Sequence, residues 1–295
     1  MAALRQALPG AALRDWSANA AAGQPAADYA IVWRPPPELI RELAGVRAVF
    51  NLGAGVDAIA GAPSWPQGVP LIRVEDAGMA EQMIEYVTYA VLRCFREIAR
   101  YEVLQRERSW LPLARLDKRA FGVGVLGMGV LGSKVAAAIA AFGFPVSGCS
   151  RQAKSLTEVR SYSAKDLLTF LATCRVLVCM LPLTPATRGL LDRRVFSALP
   201  RGAYVVNVAR GDILVEQDLL DALGNGGLSG AMLDVFAEEP LPVTHPFWRH
   251  PAITITPHIS AVTQVGASAA QIADKIRRIE SGLAVSGVVD AAQAY

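Results

Sequence analysis

The 295-residue chain is long enough for two lobes rather than one, and 53% hydrophobic against 19% charged residues describes a folded protein with a large core, not a disordered one. Its net charge of +3 arises from 29 basic and 26 acidic residues that are interleaved, as in Gln105-Arg106-Glu107-Arg108 and Asp274-Lys275-Ile276-Arg277-Arg278. That pattern reads as solvated helix faces and argues against a nucleic-acid partner. No apolar run reaches the roughly 18 residues of a membrane span, and MAALRQALPG has no apolar signal core followed by a cleavage site, so no membrane role and a cytoplasmic location are expected.

The chain opens on what reads as a helix, Ala2 to Leu8, followed by an Ala-rich loop at Ala18 to Ala27. Strands are expected at Tyr29 to Trp33, Ala48 to Leu52 and Leu71 to Val74. A helical stretch from Met79 to about Arg108 is too long for one small lobe and is expected to bridge two. From Phe121 the pattern alternates. Apolar runs at Gly122 to Leu126, Pro145 to Cys149, Val176 to Leu181, Tyr204 to Val208, Gly230 to Val235 and Ile253 to Ile255 are separated, through the earlier part, by helical periodicity at Gly132 to Phe142, Lys165 to Thr173, Asp192 to Leu199 and Val215 to Leu223. Strands apolar throughout and alternating with helices are buried on both faces, which predicts an α/β protein with a doubly wound parallel sheet. A last helix, about Gln264 to Leu283, is expected to return the chain to the first lobe. Cys94, Cys149, Cys174 and Cys179 fall in apolar segments without zinc-type spacing, so buried structural thiols and no metal are expected.

Chemistry concentrates after the strands. Gly127-Met128-Gly129-Val130-Leu131-Gly132 follows an expected strand and opens an expected helix. In that context the first glycine makes a tight turn, the second lets backbone approach a pyrophosphate and the third packs helix on strand, with helix N-terminal amides facing the anion. A plain Gly-rich turn is the bland alternative, weakened by six strand candidates around it. Arg210, Glu239 and His258 each follow an expected strand, and in an open parallel sheet the carboxyl ends of strands line the ligand crevice. A lone His is more often structural than catalytic; an Arg and an acid at matched strand ends reverse that preference.

Five ordered motifs carry a resemblance over nearly the whole chain: Gly127 to Gly132, Leu181-Pro182-Leu183-Thr184-Pro185-Ala186-Thr187, Asn207-Val208-Ala209-Arg210-Gly211, Leu233 to Pro242 and Thr256-Pro257-His258-Ile259. Together they resemble the D-isomer-specific 2-hydroxyacid dehydrogenase family, and Asn51 to Asp57 with Ser150-Arg151 look most like its glyoxylate/hydroxypyruvate reductase A branch. The resemblance implies a Rossmann-type domain over residues 94–268 and a smaller, flavodoxin-like substrate lobe over 1–93 and 269–295, lacking its usual first strand because the chain opens on the helix. It implies an active site in the cleft between the lobes and a homodimer.

By the same resemblance Arg210 grips the carboxylate and keto oxygen of a small 2-oxoacid, a job suited to a forked donor. His258 protonates the carbonyl oxygen as hydride arrives from a nicotinamide, and Glu239 orients the imidazole and favours its protonated form. Backbone amides of Ala54, Gly55 and Val56 meet the substrate carboxylate, and Asp234 meets the nicotinamide carboxamide. Met128, Val130, Leu131, Leu181, Pro182, Val208, Ala209 and His258 complete the implied cofactor contacts beside the glycines. Trp110 reaches either the neighbouring subunit's pocket or a dimer contact. Glu238 reads as a solvated loop carboxylate, and His245 and His250, beside prolines with no partner spacing, as structural.

Where an NAD-binding chain places an acid, roughly 20 residues beyond the glycine turn, this one has Gly148-Cys149-Ser150-Arg151-Gln152-Ala153-Lys154. Ser150 and Arg151, with Lys154 adding positive potential, suit a 2′-phosphate that an acid would repel, so NADP(H) is expected over NAD(H). A solvated basic loop is the alternative for that stretch. A nucleotide-sensing, partner-binding regulator with little turnover is the alternative for the whole chain, since fold alone does not fix function.

Overall fold

A computed structural model describes residues 1–17, 26–57, 59, 62 and 64–289; most of the Ala-rich stretch lies outside them. In chain order the elements are α1 (Ala2–Ala7), β1 (Tyr29–Val32), α2 (Pro37–Glu42), β2 (Ala48–Asn51), β3 (Leu71–Arg73), α3 (Met79–Phe95), α4 (Ile98–Arg106), β4 (Val123–Leu126), α5 (Val130–Ala141), β5 (Val146–Ser150), β6 (Val159–Ser163), α6 (Leu167–Leu171), β7 (Val176–Cys179), α7 (Arg193–Ala198), β8 (Ala203–Asn207), α8 (Glu216–Gly224), β9 (Leu228–Leu233), β10 (Ile253–Ile255) and α9 (Val265–Glu280). They form two compact units, residues 1–79 with 263–295, and residues 80–262. The sequence reading puts the boundaries near 93 and 269. α3 falls in the second unit after its first residue because Met83, Val87, Ala90 and Val91 pack into that unit's core.

The first unit holds a parallel three-stranded sheet in the order β1-β2-β3, with Val49 opposite both Ala30 and Leu71. Val32, Leu43, Val49, Val56, Ile59 and Leu71 form its apolar core. A second element of cohesion is polar. Lys275 of α9, read from the sequence as part of a solvated charge run, is buried, and its Nζ donates to Arg73 O (3.0 Å), Ser286 O (2.8 Å) and Glu75 Oε2 (3.3 Å). Gln271 mimics a strand partner, its amide accepting from Glu75 N and donating to Glu75 O, both at 2.7 Å. Burial pushes the Glu75 carboxyl up, but the Ser286 hydroxyl and the Lys275 ammonium outweigh it and hold the group below its ordinary value.

The second unit is a seven-stranded parallel sheet in the order β10-β9-β8-β7-β4-β5-β6. Side chains alternate between two cores, as a strand buried on both faces requires. Along β7, Leu177 and Cys179 join Phe170, Val205, Leu219 and Phe247 on one face, while Val176 and Val178 join Val87, Val135, Ile139 and Val206 on the other. The chain leaves β4 outward through β5 and β6, then crosses to β7 and runs the opposite way, so the strand order reverses between β4 and β7. That is where open α/β sheets bind ligands.

Two expectations change here. β6, with the sequence Val159-Arg160-Ser161-Tyr162-Ser163, is a seventh strand that an apolar-run search passes over, because it is an edge strand with mixed polarity. The long helix is broken at Glu97, which adopts φ 52° with neither Gly nor Pro nearby. The break sets Phe95 edge-on against Phe121 and Phe144, and a two-pronged Arg93–Glu102 ion pair spans it with both contacts at 2.6 Å. Cys149, Cys174 and Cys179 are buried and Cys94 is half-buried; burial pushes the thiols up, to about 11 for Cys149 and about 12 for the others. They stay protonated and inert at neutral pH.

Candidate active site

The parallel order β8-β9-β10 places the residues following these strands on one edge of the sheet. Arg210 follows β8 on a turn fixed from inside. The fully buried Asn207 accepts from Ala209 N and donates to Arg210 O, both at 3.1 Å, and Arg210 Nη1 donates to Ala209 O at 2.7 Å. Gly211 brings this turn against the loop after β9. A Cβ there would lie 1.8 Å from the carbonyl carbon of Phe236 and 2.2 Å from Ala237 N, so only glycine fits.

Glu239 and His258 meet in that loop region. The Glu239 carboxylate accepts from Phe236 N through Oε1 (3.0 Å) and contacts His258 Nδ1 through Oε2 (2.8 Å). An ionised carboxylate only accepts, so Nδ1 carries the proton of this bond and Nε2 is the ring nitrogen left to exchange one. His258 has φ 55°, a left-handed conformation that costs a non-glycine residue about 1–3 kcal/mol and persists only where its surroundings impose it. Asp234 imposes it. Its backbone oxygen accepts from His258 N (2.9 Å), and its carboxylate accepts from Thr256 Oγ1 (2.6 Å), Ile259 N (2.8 Å) and Ser260 N (2.8 Å). The Asp234 side chain, expected on a nicotinamide, is therefore fully buried and engaged by the chain's own donors. Glu238 is exposed. His245 does have a partner, Glu216 Oε2 at 3.1 Å from Nε2, and also accepts from Phe247 N; His250 accepts from Ala252 N. Both are local braces.

At the β4/β7 reversal, Gly127 turns with φ 110°, and a Cβ there would meet Met180 O at 2.6 Å. Gly132 is closed in the same way by Gly127 O. Gly129 differs: a Cβ there would meet nothing within 4 Å, and it caps the twelve-residue α5. Two glycines thus serve the chain's own packing and the third leaves a space headed by helix amides. That geometry fits a dinucleotide pyrophosphate. Val130 is 45% exposed beside the space, Met128 is buried and Leu131 is intermediate; Leu181 and Pro182 follow β7, while Val208 and Ala209 follow β8. Lys154 Nζ donates to Met128 O at 2.5 Å, so its charge lies on the glycine loop itself. Ser150 Oγ donates to Gln152 O at 2.6 Å, and Arg151 is exposed at the end of β5. The Ser150 hydroxyl must rotate to donate to a phosphate.

In the first unit, Asn51 closes β2 and is buried; its amide donates to Gly53 O (2.9 Å) and Gly55 O (2.7 Å), holding the loop that carries Ala54, Gly55 and Val56. Val56 turns its side chain into that unit's core, leaving its backbone for any ligand contact. Trp110 is fully exposed in the segment after α4. Among the described residues, no group of three or more His, Cys, Asp or Glu could hold a metal ion, and no helix is long and apolar enough to cross a membrane. Asn51, Asn207 and Thr256 lie in motifs quoted from the sequence, but their bracing roles emerge only from the hydrogen bonds. The available signal is an Asn ending an apolar strand, a residue type depleted in strands.

Known proteins are similar to this chain in sequence and fold. The family model described as "D-isomer specific 2-hydroxyacid dehydrogenase, NAD binding domain" matches residues 88–260, more than half of the chain. A glyoxylate/hydroxypyruvate reductase A of Serratia proteamaculans is 47% identical, covering 100% of this chain and 95% of the relative; one of Escherichia fergusonii is 46% identical, covering 99% and 95%. A D-isomer-specific 2-hydroxyacid dehydrogenase of Xanthobacter autotrophicus Py2, solved with NADPH and MES, superposes with a TM-score of 0.94 at 40% identity over 100% of this chain and 94% of that one. The NADPH-dependent glyoxylate/hydroxypyruvate reductase of Sinorhizobium meliloti, solved with NADP and sulfate, gives 0.94 at 38% identity over 100% and 95%. With the glycine turn at the strand reversal and the Arg, Glu and His motifs on one sheet edge, the chain belongs to the D-isomer-specific 2-hydroxyacid dehydrogenase family, a family of oxidoreductases, and resembles its glyoxylate/hydroxypyruvate reductase A branch.

Proposed function

We propose that this chain reduces a small 2-oxoacid of the glyoxylate or hydroxypyruvate type to its 2-hydroxyacid, with NADPH preferred over NADH. The observation that carries the reading is the 2.8 Å contact of His258 Nδ1 with Glu239, on the sheet edge that also bears Arg210. When bound, the nicotinamide supplies hydride to the carbonyl carbon. Arg210 grips the carboxylate and carbonyl oxygen with its fork. His258 delivers the proton from Nε2 to the carbonyl oxygen as charge develops there, and Glu239 holds the ring in place through Nδ1. Ala54, Gly55 and Val56 offer backbone amides to the substrate carboxylate.

Gly129 and the first turn of α5, set in place by the close packing at Gly127 and Gly132, hold the pyrophosphate, and Ser150, Arg151 and Lys154 favour a 2′-phosphate. Hydrogen bonds to charged groups contribute about 1.5–3 kcal/mol, so Arg151 favours NADPH by roughly 10- to 100-fold. A steady-state assay over a panel of 2-oxoacids with both cofactors, repeated on Arg151→Ala, tests this. Turnover of glyoxylate or hydroxypyruvate with NADPH, and a KM for NADPH that rises in the variant while that for NADH holds, is expected. No turnover on any 2-oxoacid points to the regulator instead, and equal losses with both cofactors remove Arg151 from the phosphate.

The chain also forms a two-fold dimer on this reading, supported by exposed Ile98, Tyr101 and Val103 on α4 and by Trp110 and Leu111 after it. Light scattering at twice the 31.4 kDa chain mass is expected. A monomer at all concentrations contradicts it.

A further inference from the structure

We propose that Tyr86 and Thr256 are positioning residues for His258, forming with Asp234 a directed hydrogen-bond relay that runs from α3 to the loop carrying the imidazole. The inference rests on the reading of His258 as the proton donor and deepens it. Tyr86 Oη lies 2.6 Å from Thr256 Oγ1, which lies 2.6 Å from Asp234 Oδ1. The direction follows from valence. An ionised Asp234 only accepts, so the single Thr256 hydroxyl proton goes to it, and Thr256 must then accept from the Tyr86 phenol. Burial, reinforced by the nearby Asp234 charge, pushes the Tyr86 hydroxyl well above its ordinary value, so it remains a donor across the working pH range.

The relay ends where the strain is. Asp234 is fully buried, and every bond it receives in the loop comes from residues 256, 258, 259 and 260, which bracket the left-handed His258 on both sides. Its origin is rigid. Met83, Val87 and Ala90, which flank Tyr86 on α3, are buried in the core beneath the sheet. Thr256 thus ties the loop to a packed helix as well as to Asp234. Without that tie the Asp234 carboxylate keeps its two amide donors but loses a hydroxyl in a buried setting, where an unmade bond is costly. The ring then gains freedom to leave Glu239. A proton donor displaced by a fraction of an ångström loses rate, not substrate affinity.

The test uses the full chain as Tyr86→Phe, Thr256→Val and Thr256→Ser. With glyoxylate and NADPH, kcat falls about fivefold or more in Tyr86→Phe and about tenfold or more in Thr256→Val, while both KM values and the NADPH dissociation constant stay within twofold. Thr256→Ser restores the hydroxyl and recovers most of that turnover. A parallel readout is independent of turnover. The chain has three histidines, so the Nδ1 proton signal of His258 is assigned by its loss in His258→Ala. This signal persists in the parent and in Thr256→Ser, and is lost to exchange in Thr256→Val. A parent inactive on 2-oxoacids with this spectral pattern overturns the functional reading and leaves the relay standing. An unchanged His258 signal in Thr256→Val, a failure of Ser to rescue, or a loss confined to nucleotide binding overturns the relay.

Discussion

The two units reach stability by different means. In the second, strands such as β7 send Val176 and Val178 to one apolar core and Leu177 and Cys179 to the other, and helices seal both faces. In the first, the sheet has three short strands and a small apolar core, and the end of β3 is fastened to α9 by the buried Lys275 together with Gln271, Glu75 and Ser286. Apolar cohesion is proportional to area and tolerant of shape. A buried ammonium is neither, because its desolvation is offset only by the particular oxygens around it. The same unit that lacks apolar depth therefore depends on a few irreplaceable polar contacts.

Volume-conserving substitutions separate the two regimes. Lys275→Met keeps the stem but leaves Glu75 and the carbonyls of Arg73 and Ser286 without their donor, so it should destabilise the first unit by about 3 kcal/mol, the low end for a broken buried pair. Hydrogen exchange at the β3 amides should accelerate accordingly, and Lys275→Met with Glu75→Gln should recover part of the loss. A Lys275→Met effect below about 0.5 kcal/mol would make the network ornamental. Leu177→Met, at an equally buried site in the second unit, should cost less than about 1.5 kcal/mol. If Leu177→Met proved the more damaging of the two, the contrast between the units would be wrong.

Legibility in the sequence follows the same divide. Strands buried on both faces announce themselves as unbroken Val, Ile and Leu runs, so six of the seven strands in the large sheet were readable, as were the three of the small one. β6 was not, because an edge strand with Arg160 and Ser161 exposed or half-exposed has the composition of a loop. The break at Glu97 was hidden because the contacts that accompany it, Phe95 against Phe121 and Phe144, are tertiary. Lys275 sits in an Asp-Lys-Ile-Arg-Arg run whose charges look solvated, and only its partners distant in sequence reveal the burial. At the candidate site, the strand-end positions of Arg210, Glu239 and His258 were readable from motifs. Their supports were not, since Asn207, Thr256 and Tyr86 act through hydrogen bonds whose partners are set by register and loop path.

The central claim is that His258, held by Glu239, supplies the proton to the reduced carbonyl. The most direct measurement is the turnover of His258→Ala with glyoxylate and NADPH, beside its NADPH dissociation constant from nucleotide fluorescence. Loss of a general acid typically removes 10²–10⁴-fold in rate, so turnover should fall by roughly 100-fold or more while NADPH binding and melting temperature stay close to the parent's. Turnover within a few-fold of the parent would contradict the account and return His258 to a purely structural role.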